Sequence, residues 1–266
     1  MIHAVLYNGF EVPMLGIGTY SLGEEQIGNA IQCGYRLIDT AAQYENEDAV
    51  GTAIRKSGIS RNDFCISTKL WIDDMKSNNT RNAFFESLKR LKLDYVDIYL
   101  IHWPAAGICE AWHEIEKLYN EGYIKAIGVS NFHKKHFDKL FKTCIIKPMV
   151  NQVELHPRFH NRELTDYCKE KGMAVEAWSP FGGTGRLLNN DILQQIAFKH
   201  QKTAAQITLR WHMQKGIITF PRSGNMDRLK SNMDIFNFEL DEKDMGLIDS
   251  IDTHKCLGAD PELIDV

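Results

Sequence analysis

The sequence predicts an α/β fold: a (β/α)8 barrel of the TIM type with a short N-terminal β-hairpin. Eight short apolar or β-branched runs recur along the 266 residues, and amphipathic helical patterns lie between them. Strands that alternate with helices form parallel βαβ units, which can close as a barrel. An open doubly wound sheet is the structural alternative. It is disfavoured because Gly16-Ile-Gly18 is only half of the glycine-rich fingerprint that binds dinucleotides in such sheets.

A hairpin and eight strands are predicted in chain order. Met1–Pro13 is expected to turn at Asn8-Gly9, because this dipeptide suits a tight hairpin turn. The eight runs that follow are nearly continuous in apolar character, which is typical of parallel strands covered on both faces. These runs are 14–17, 36–39, 64–68, 96–101, 126–129, 149–153, 174–178 and 217–220.

Apolar residues at helical spacing predict helices between the strands. The predicted apolar faces are Ile27, Ala30 and Ile31; Ala49, Val50, Ala53 and Ile54; Phe84, Leu88 and Leu91; and Phe137, Leu140 and Phe141. Helix starts are predicted at Asn79-Thr80, Asn190-Asp191 and Thr203, where short polar side chains can accept hydrogen bonds from the first turn. Gly51 lies inside one predicted helix, where glycine is unfavourable.

Composition indicates one globular domain over residues 1–266, since 44% of the chain is hydrophobic and 25% is charged. The 31 Lys and Arg residues against 35 Asp and Glu residues leave a net charge of −4, which argues against nucleic acid as a partner. The first ten residues do not resemble a secretory signal, and no run approaches the roughly 18 apolar residues of a membrane span. The six cysteines are dispersed, so reduced thiols and a cytoplasmic location are expected.

Polar residues stand at the ends of six different predicted strands. They are Asp39, Lys69, His102, Asn131, Gln152 and Ser179. Any one of them alone suits a structural role, such as a helix cap or a buried hydrogen bond. In a barrel, however, the carboxyl ends of all strands meet at one face, where active sites are built. The set therefore predicts a functional site there.

The residue types suit the reduction of a carbonyl group. Hydride addition places negative charge on the carbonyl oxygen, and a proton must reach that oxygen. A tyrosine has a pKa of about 10, but a neighbouring lysine ammonium is expected to lower it. A buried lysine in turn needs a carboxylate to keep its charge, and a neutral histidine can donate a hydrogen bond to the carbonyl oxygen.

Several segments of the sequence closely resemble the motifs of aldo-keto reductases, in the order in which that family carries them. They are Gly34–Glu47, Ser67–Trp71, Leu100–Pro104, Ala126–Phe132, Asn151–Pro157 and Gly258–Pro261. The resemblance covers nearly the whole chain and is strongest to short microbial and protozoan members, such as 2,5-diketogluconate reductases and prostaglandin F synthases. It implies a (β/α)8 barrel that binds NADPH without a Rossmann domain, and a monomer.

The resemblance also implies residue roles. Tyr44 matches the general acid, Lys69 and Asp39 match the residues that tune it, and His102 matches the residue that orients the carbonyl. The implied cofactor-binding residues are Thr19, Tyr20, Asp39, Ser130, Asn131, Gln152, Trp178, Ser179, Phe181, Gly183, Arg222, Ser223, Asn225, Arg228 and Asn232. The predicted substrate pocket consists of Tyr20, Trp71, His102, Trp103 and Phe132.

The phosphate end of the cofactor has a physical basis in the sequence. A helix that starts near Asn225 offers free N–H groups to a phosphate, and Arg222 and Arg228 add charge.

Two departures from the family pattern are Ser231, where many members carry Glu, and Tyr20, where Trp is frequent. The short stretch 105–109 and the short tail after Cys256 predict an open pocket.

The leading hypothesis is an NADPH-dependent reductase of aldehydes and ketones, with keto-sugars and α-dicarbonyls as candidate substrates. The alternative is a redox-sensing or regulatory subunit that binds the nucleotide with little turnover. A metal-dependent hydrolase is disfavoured because His102, His156 and His160 lack a convincing ligand spacing, so no metal is expected.

Overall fold

Eight parallel strands form the centre of the structure, a computed structural model that describes residues 2–264. Two further strands form a hairpin before them. In chain order, β1 to β10 are His3–Val5, Glu11–Pro13, Gly16–Gly18, Leu37–Asp39, Cys65–Leu70, Val96–Ile101, Ile124–Ser130, Val150–Glu154, Ala174–Trp178 and Ile217–Thr219. The eight predicted strand runs thus correspond to β3 to β10, with shifts of one or two residues at most ends.

Helices connect and surround the strands. In chain order, α1 to α11 are Glu24–Gln32, Glu47–Lys56, Ile72–Lys76, Thr80–Leu91, Ile108–Asn120, Lys134–Leu140, Arg162–Glu170, Asp191–His200, Ala204–Gln214, Met226–Met233 and Glu242–Asp249. Short 3-10 turns occupy Ala42–Tyr44, Arg61–Asp63 and Arg186–Asn189.

The strands close into a barrel. Each of β3 to β9 pairs in parallel with the next strand in chain order. The first and last strands meet at a parallel bridge between Leu15 and Thr219, where the Thr219 N–H donates to the Met14 carbonyl at 3.1 Å. This closure confirms the predicted (β/α)8 barrel and excludes the open sheet.

The N-terminal hairpin is also confirmed. Strands β1 and β2 pair antiparallel, and the chain turns at Gly9 with a left-handed φ of 84°. Leu6 and Val12 from the hairpin are buried in the core. Because β2 leads directly into the amino end of β3, the hairpin lies at the end of the barrel opposite the carboxyl ends of the strands.

Helix packing explains the glycine that interrupts a predicted helix. A Cβ atom on Gly51 would lie 1.9 Å from the Leu91 carbonyl oxygen, so α2 and α4 approach each other closely there. The predicted caps hold at Asn190 and Thr203, whose side chains accept from the first turn. The helix start predicted at Asn79-Thr80 is also confirmed, because α4 begins at Thr80. The Asn79 side chain, however, makes no hydrogen bond to the first turn, and its amide donates to the Asp74 carboxylate at 2.9 Å.

Within residues 2–264, no helix is long and apolar enough to span a lipid bilayer.

Candidate active site

Most of the residues predicted from strand ends surround one cavity of about 590 Å³ at the carboxyl end of the barrel. The predicted site residues that line it are Tyr20, Asp39, Tyr44, His102, Trp103, Ser130, Asn131, Gln152, Trp178, Ser179, Phe181, Gly183 and Arg222. The cavity also contacts Gly18, Pro180 and Phe220, which were not predicted as site residues. The convergence expected from barrel geometry is thus present.

A buried ion pair lies beneath the cavity. Lys69 on β5 is fully buried, and its ammonium lies 2.7 Å from both oxygens of Asp39 on β4. Its third hydrogen bond goes to the Thr40 carbonyl at 2.9 Å. Burial acts to lower the pKa of Lys69, but the opposing effects of its neighbours, led by the Asp39 carboxylate, together outweigh it, so the pKa is raised. Lys69 is therefore a charged ammonium, as the sequence argument required.

Tyr44 stands above this pair on the 3-10 turn that follows β4. The Lys69 ammonium lies 5.1 Å from the centre of the Tyr44 ring. Burial raises the pKa of Tyr44, and the opposing effect of Lys69 does not overcome it. The expectation of a pKa lowered by Lys69 is thus wrong for the net shift, because loss of hydration outweighs the ammonium charge. Tyr44 is a neutral phenol with a proton to donate.

His102 completes the group at the end of β6. Its ring centre lies 5.7 Å from that of Tyr44 and 5.2 Å from that of Trp71, both edge to face. Burial, together with the charge of Lys69, holds the pKa of His102 well below its usual value. The imidazole is therefore neutral at physiological pH, as expected from the sequence.

Three polar residues near the ends of β7 and β8 are hydrogen-bonded to one another, and one of them also binds Trp178 on β9. Asn131 has a left-handed φ of 62°, and its Nδ2 donates to the His102 carbonyl at 3.0 Å. Its Oδ1 accepts from the indole N–H of Trp178 at 2.8 Å, which fixes the ring that borders the cavity. The Ser130 hydroxyl donates to the Gln152 carbonyl at 2.9 Å. These contacts pre-organise one wall of the site.

Gln152 links this wall to the ion pair. Its amide nitrogen donates to Asp39 Oδ1 at 3.0 Å and to Glu176 Oε2 at 2.9 Å. Glu176 was not among the residues predicted from the sequence. A signal for it exists: Glu176 stands two residues before Trp178 in an apolar strand, so alternation places both side chains on the same side of β9.

The residues predicted for the phosphate end lie around the start of α10. The Asn225 side chain caps this helix by accepting from the Arg228 N–H at 3.0 Å, and Arg228 itself is exposed. Arg222 turns toward the cavity, where its Nη1 donates to the Tyr20 carbonyl at 3.2 Å. The structure therefore brings Arg222 and the helix start to the same end of the site.

Some predicted ligand-binding residues do not line the cavity. Thr19 is fully buried and its hydroxyl donates to the Asp39 carbonyl at 2.9 Å. Phe132, which was predicted to line the substrate pocket, is also fully buried. It packs against Phe137 and does not line the cavity. Trp71 supports His102 from the side, and Asn232 is buried on α10.

The glycine-rich loop after β9 and the C-terminal segment meet beside the cavity. Gly183 has a left-handed φ of 69°, and a Cβ atom there would lie 3.3 Å from Leu257. The carboxylate of Glu154, another residue that the sequence analysis missed, accepts from the Leu257 and Gly258 N–H groups at 2.8 Å each. A Cβ on Gly258 would lie 2.7 Å from the Trp178 ring. The tail is therefore held against Glu154 and against the Trp178 ring that borders the cavity, and the open pocket stays a prediction.

The histidines that were weighed as metal ligands have separate partners. His156 contacts Glu154 at 3.0 Å and His160 contacts Asp252 at 3.5 Å. Among residues 2–264, no group of three or more His, Cys, Asp or Glu side chains is arranged to hold a metal ion.

Comparison with known proteins matches residues 15–253 to the Aldo/keto reductase family. Glyoxal reductase of Bacillus subtilis (strain 168) is 47% identical over 263 residues, which cover 97% of this chain and 95% of that protein. Methylglyoxal reductase DkgA of Escherichia coli (strain K12) is 40% identical over 266 residues, covering 97% and 96%. The crystal structure of MGS-M4, an aldo-keto reductase enzyme from a Medee basin deep-sea metagenome library, superimposes with a TM-score of 0.96 at 40% identity. It covers 99% of this chain and 100% of that one.

Proposed function

We infer that this chain, which belongs to the aldo/keto reductase family, reduces aldehydes and ketones to alcohols with NADPH, and that Tyr44 is the general acid. The observation that carries this proposal is the Lys69–Asp39 ion pair beneath Tyr44, beside a neutral His102 in the same cavity. Carbonyl reduction needs a charged lysine beside a neutral tyrosine and a neutral histidine, and the pKa shifts of Lys69, Tyr44 and His102 favour these protonation states.

The cavity residues fit a nicotinamide nucleotide. Ser130, Asn131 and Gln152 offer hydrogen-bonding groups for a carboxamide, and the Trp178 indole offers a flat apolar face. Gly183 lines the cavity, and because it has no side chain a pyrophosphate can approach its backbone closely. When bound, the cofactor supplies the hydride.

The preference for NADPH over NADH follows from charge at the far end of the site. Arg222 and Arg228 flank the start of α10, where Ser223 and free backbone N–H groups add hydrogen-bond donors. A 2′-phosphate, which NADH lacks, is the group that two guanidinium side chains at a helix start would recognise.

The proton step uses the buried residues. The Tyr44 hydroxyl donates its proton to the carbonyl oxygen, and the Lys69 ammonium stabilises the phenolate that is left. Asp39 keeps Lys69 charged throughout. His102, as a neutral imidazole, donates a hydrogen bond to the same carbonyl oxygen and orients it.

For the substrate we propose small aldehydes and α-dicarbonyls. Similarity to a glyoxal reductase and a methylglyoxal reductase supports this class.

The test is NADPH consumption by purified protein over a panel of aldehydes, keto-sugars, α-dicarbonyls and quinones. We expect turnover with methylglyoxal and 4-nitrobenzaldehyde, much faster with NADPH than with NADH. Tight NADPH binding without turnover of any carbonyl in the panel would overturn the enzyme proposal and favour the regulatory subunit.

The proposal includes a monomeric, single-domain protein of the cytoplasm. All six cysteines are free thiols, which suits a reducing compartment. Light scattering coupled to gel filtration tests the monomer, and a mass of twice 30.5 kDa would contradict it.

A further inference from the structure

A carboxyl group lies behind the cavity and takes no part in the proposed proton transfer. Glu176 is 0% exposed and stands on β9, two residues before Trp178. We propose that Glu176 is a positioning residue that fixes the amide of Gln152, so that the Gln152 oxygen faces the nicotinamide carboxamide, and that it keeps a proton while doing so. This inference rests on the proposed function, because it assigns a role toward the same cofactor.

The hydrogen bonds of Gln152 carry the argument. Its amide nitrogen has two protons, and both are directed at carboxyl oxygens: Asp39 Oδ1 at 3.0 Å and Glu176 Oε2 at 2.9 Å. If the amide rotated by half a turn, its oxygen would face the ionised Asp39 carboxylate and repel it, and both N–H groups would lose these acceptors. The observed orientation leaves Gln152 Oε1 as the free group of a residue that lines the cavity. An acceptor there suits the NH₂ of a carboxamide.

Glu176 and Asp39 differ in how their charge is compensated. Asp39 has the Lys69 ammonium at 2.7 Å, whereas Glu176 Oε1 is buried and has no hydrogen-bond partner among residues 2–264. Burying a charged carboxylate oxygen without a hydrogen-bond partner would cost far more free energy than burying a neutral carboxyl group. The surroundings therefore favour the protonated acid, which still accepts from Gln152 through Oε2.

The groups around Glu176 agree with this assignment. Asp39 faces it from β4, Lys69 and Cys65 from β5, and Gln152 from β8, while β10 contributes no titratable side chain. Burial, reinforced by the charge of Asp39, raises the pKa of Glu176 to about 8. The Cys65 thiol is itself neutral, because burial raises its pKa well above the usual value.

A consequence for the cofactor follows from the charges. With Glu176 protonated, Lys69 and Asp39 balance each other. When Glu176 ionises, the barrel gains one negative charge next to the site. The oxidised nicotinamide ring carries a positive charge and the reduced ring carries none, so ionisation strengthens NADP⁺ binding relative to NADPH. The sign is fixed: the preference for NADP⁺ increases as the pH rises through about 8.

The first experiment tests the amide orientation. Dissociation constants are measured by calorimetry for NADPH and for 2′-phospho-ADP-ribose, which lacks the nicotinamide, with the parent protein and Glu176→Leu. We expect the variant to bind NADPH about tenfold more weakly, because the Gln152 amide is no longer held in place for its hydrogen bond to the carboxamide. Binding of 2′-phospho-ADP-ribose should be unchanged. Equal weakening of both ligands would mean that Glu176 only supports the fold, and would overturn the inference.

The second experiment tests the proton, and stands even if Glu176→Leu does not fold. The Kd for NADPH divided by the Kd for NADP⁺ is measured across a pH range that brackets 8. The proteins compared are the parent protein, Glu176→Gln and the surface control Glu86→Gln. We expect a rise with pH in the parent and the control, and a flat ratio in Glu176→Gln. The same rise in Glu176→Gln would overturn the inference. Failure of the parent to bind either nucleotide would instead overturn the proposed function, and this inference with it.

Discussion

The Lys69 ammonium lies 2.7 Å from both carboxylate oxygens of Asp39, and the lysine has no contact with solvent. An isolated ammonium in this position would lose its proton, because burial penalises charge. The carboxylate prevents this, so a fixed positive charge is present beneath Tyr44 before any ligand arrives. In the proposed mechanism, this charge stabilises the phenolate that Tyr44 becomes when it donates its proton.

Replacement of Tyr44 by phenylalanine tests the proton donor. We expect kcat to fall by about 10²–10⁴-fold, because the general acid is removed, while the Kd for NADPH changes by less than about twofold. Stopped-flow turnover and fluorescence titration measure the two quantities. Tyr95→Phe is the matched control, since its hydroxyl binds Asn62 at 3.1 Å at the opposite end of the barrel. Full activity of Tyr44→Phe would remove the assignment.

Replacement of Arg222 and Arg228 by alanine tests the 2′-phosphate site. We expect each substitution to increase the KM for NADPH by about 10- to 100-fold, because it removes a charge-assisted hydrogen bond to the phosphate, and to change the KM for NADH little. Arg55→Ala, an exposed arginine on α2, serves as the control. If both nucleotides are affected to the same degree, these arginines support the fold of α10 rather than the phosphate.

The burial of His212 leads us to expect that the protein loses stability in acid. His212 is fully buried, and burial lowers its pKa to about 4. An unfolded chain binds this proton near pH 6.5, so the free energy of unfolding decreases as the pH falls from about 6.5 toward about 4. The slope is up to about 1.4 kcal/mol per pH unit. Urea unfolding at a series of pH values measures it.

Two histidine variants assign this slope to a residue. His212→Gln is expected to reduce the slope, whereas His254→Gln, at an exposed histidine, should leave it unchanged. An unaltered slope in His212→Gln would show that another group dominates the acid response.

The C-terminal segment provides a test of substrate selection. Glu154→Gln replaces a carboxylate oxygen that accepts from Leu257 or Gly258 by an NH₂ group that cannot accept. We expect faster hydrogen exchange over residues 255–262 and an altered KM for bulky aldehydes, with kcat for methylglyoxal changed by less than about threefold. Glu110→Gln, on α5, is the control. Unchanged exchange in Glu154→Gln would show that other contacts hold the segment.

The fold was largely predictable because barrel strands are continuous apolar runs. The runs 96–101 and 174–178 match β6 and β9 residue for residue. The strand-end residues were predictable for the same reason, since parallel strands bring their carboxyl ends together. Phe132 was misplaced because the left-handed backbone at Asn131 interrupts the alternation of β7, and the ring then packs on α6.

Other features depend on three-dimensional contacts that a linear pattern does not contain. The net direction of the Tyr44 pKa shift results from burial by several elements. The hydrogen bond from the Leu257 N–H to the Glu154 carboxylate joins residues more than one hundred positions apart. Glu176 was visible as a charge within an apolar strand, but its role depends on Gln152, which lies on the neighbouring strand.

Two glycines in neighbouring helices give a stability test with an internal control. At Gly51 a methyl group would lie 1.9 Å from the Leu91 carbonyl oxygen, so Gly51→Ala must push α2 away from α4. We expect it to lower the free energy of unfolding by about 1–3 kcal/mol or more. Gly28 lies within α1, and a methyl group there would have no neighbouring atom within 4 Å, so Gly28→Ala should stabilise by about 0.5–1 kcal/mol through helix propensity. Chemical denaturation compares the two variants; equal effects would mean that the helices can separate at Gly51 without loss of packing.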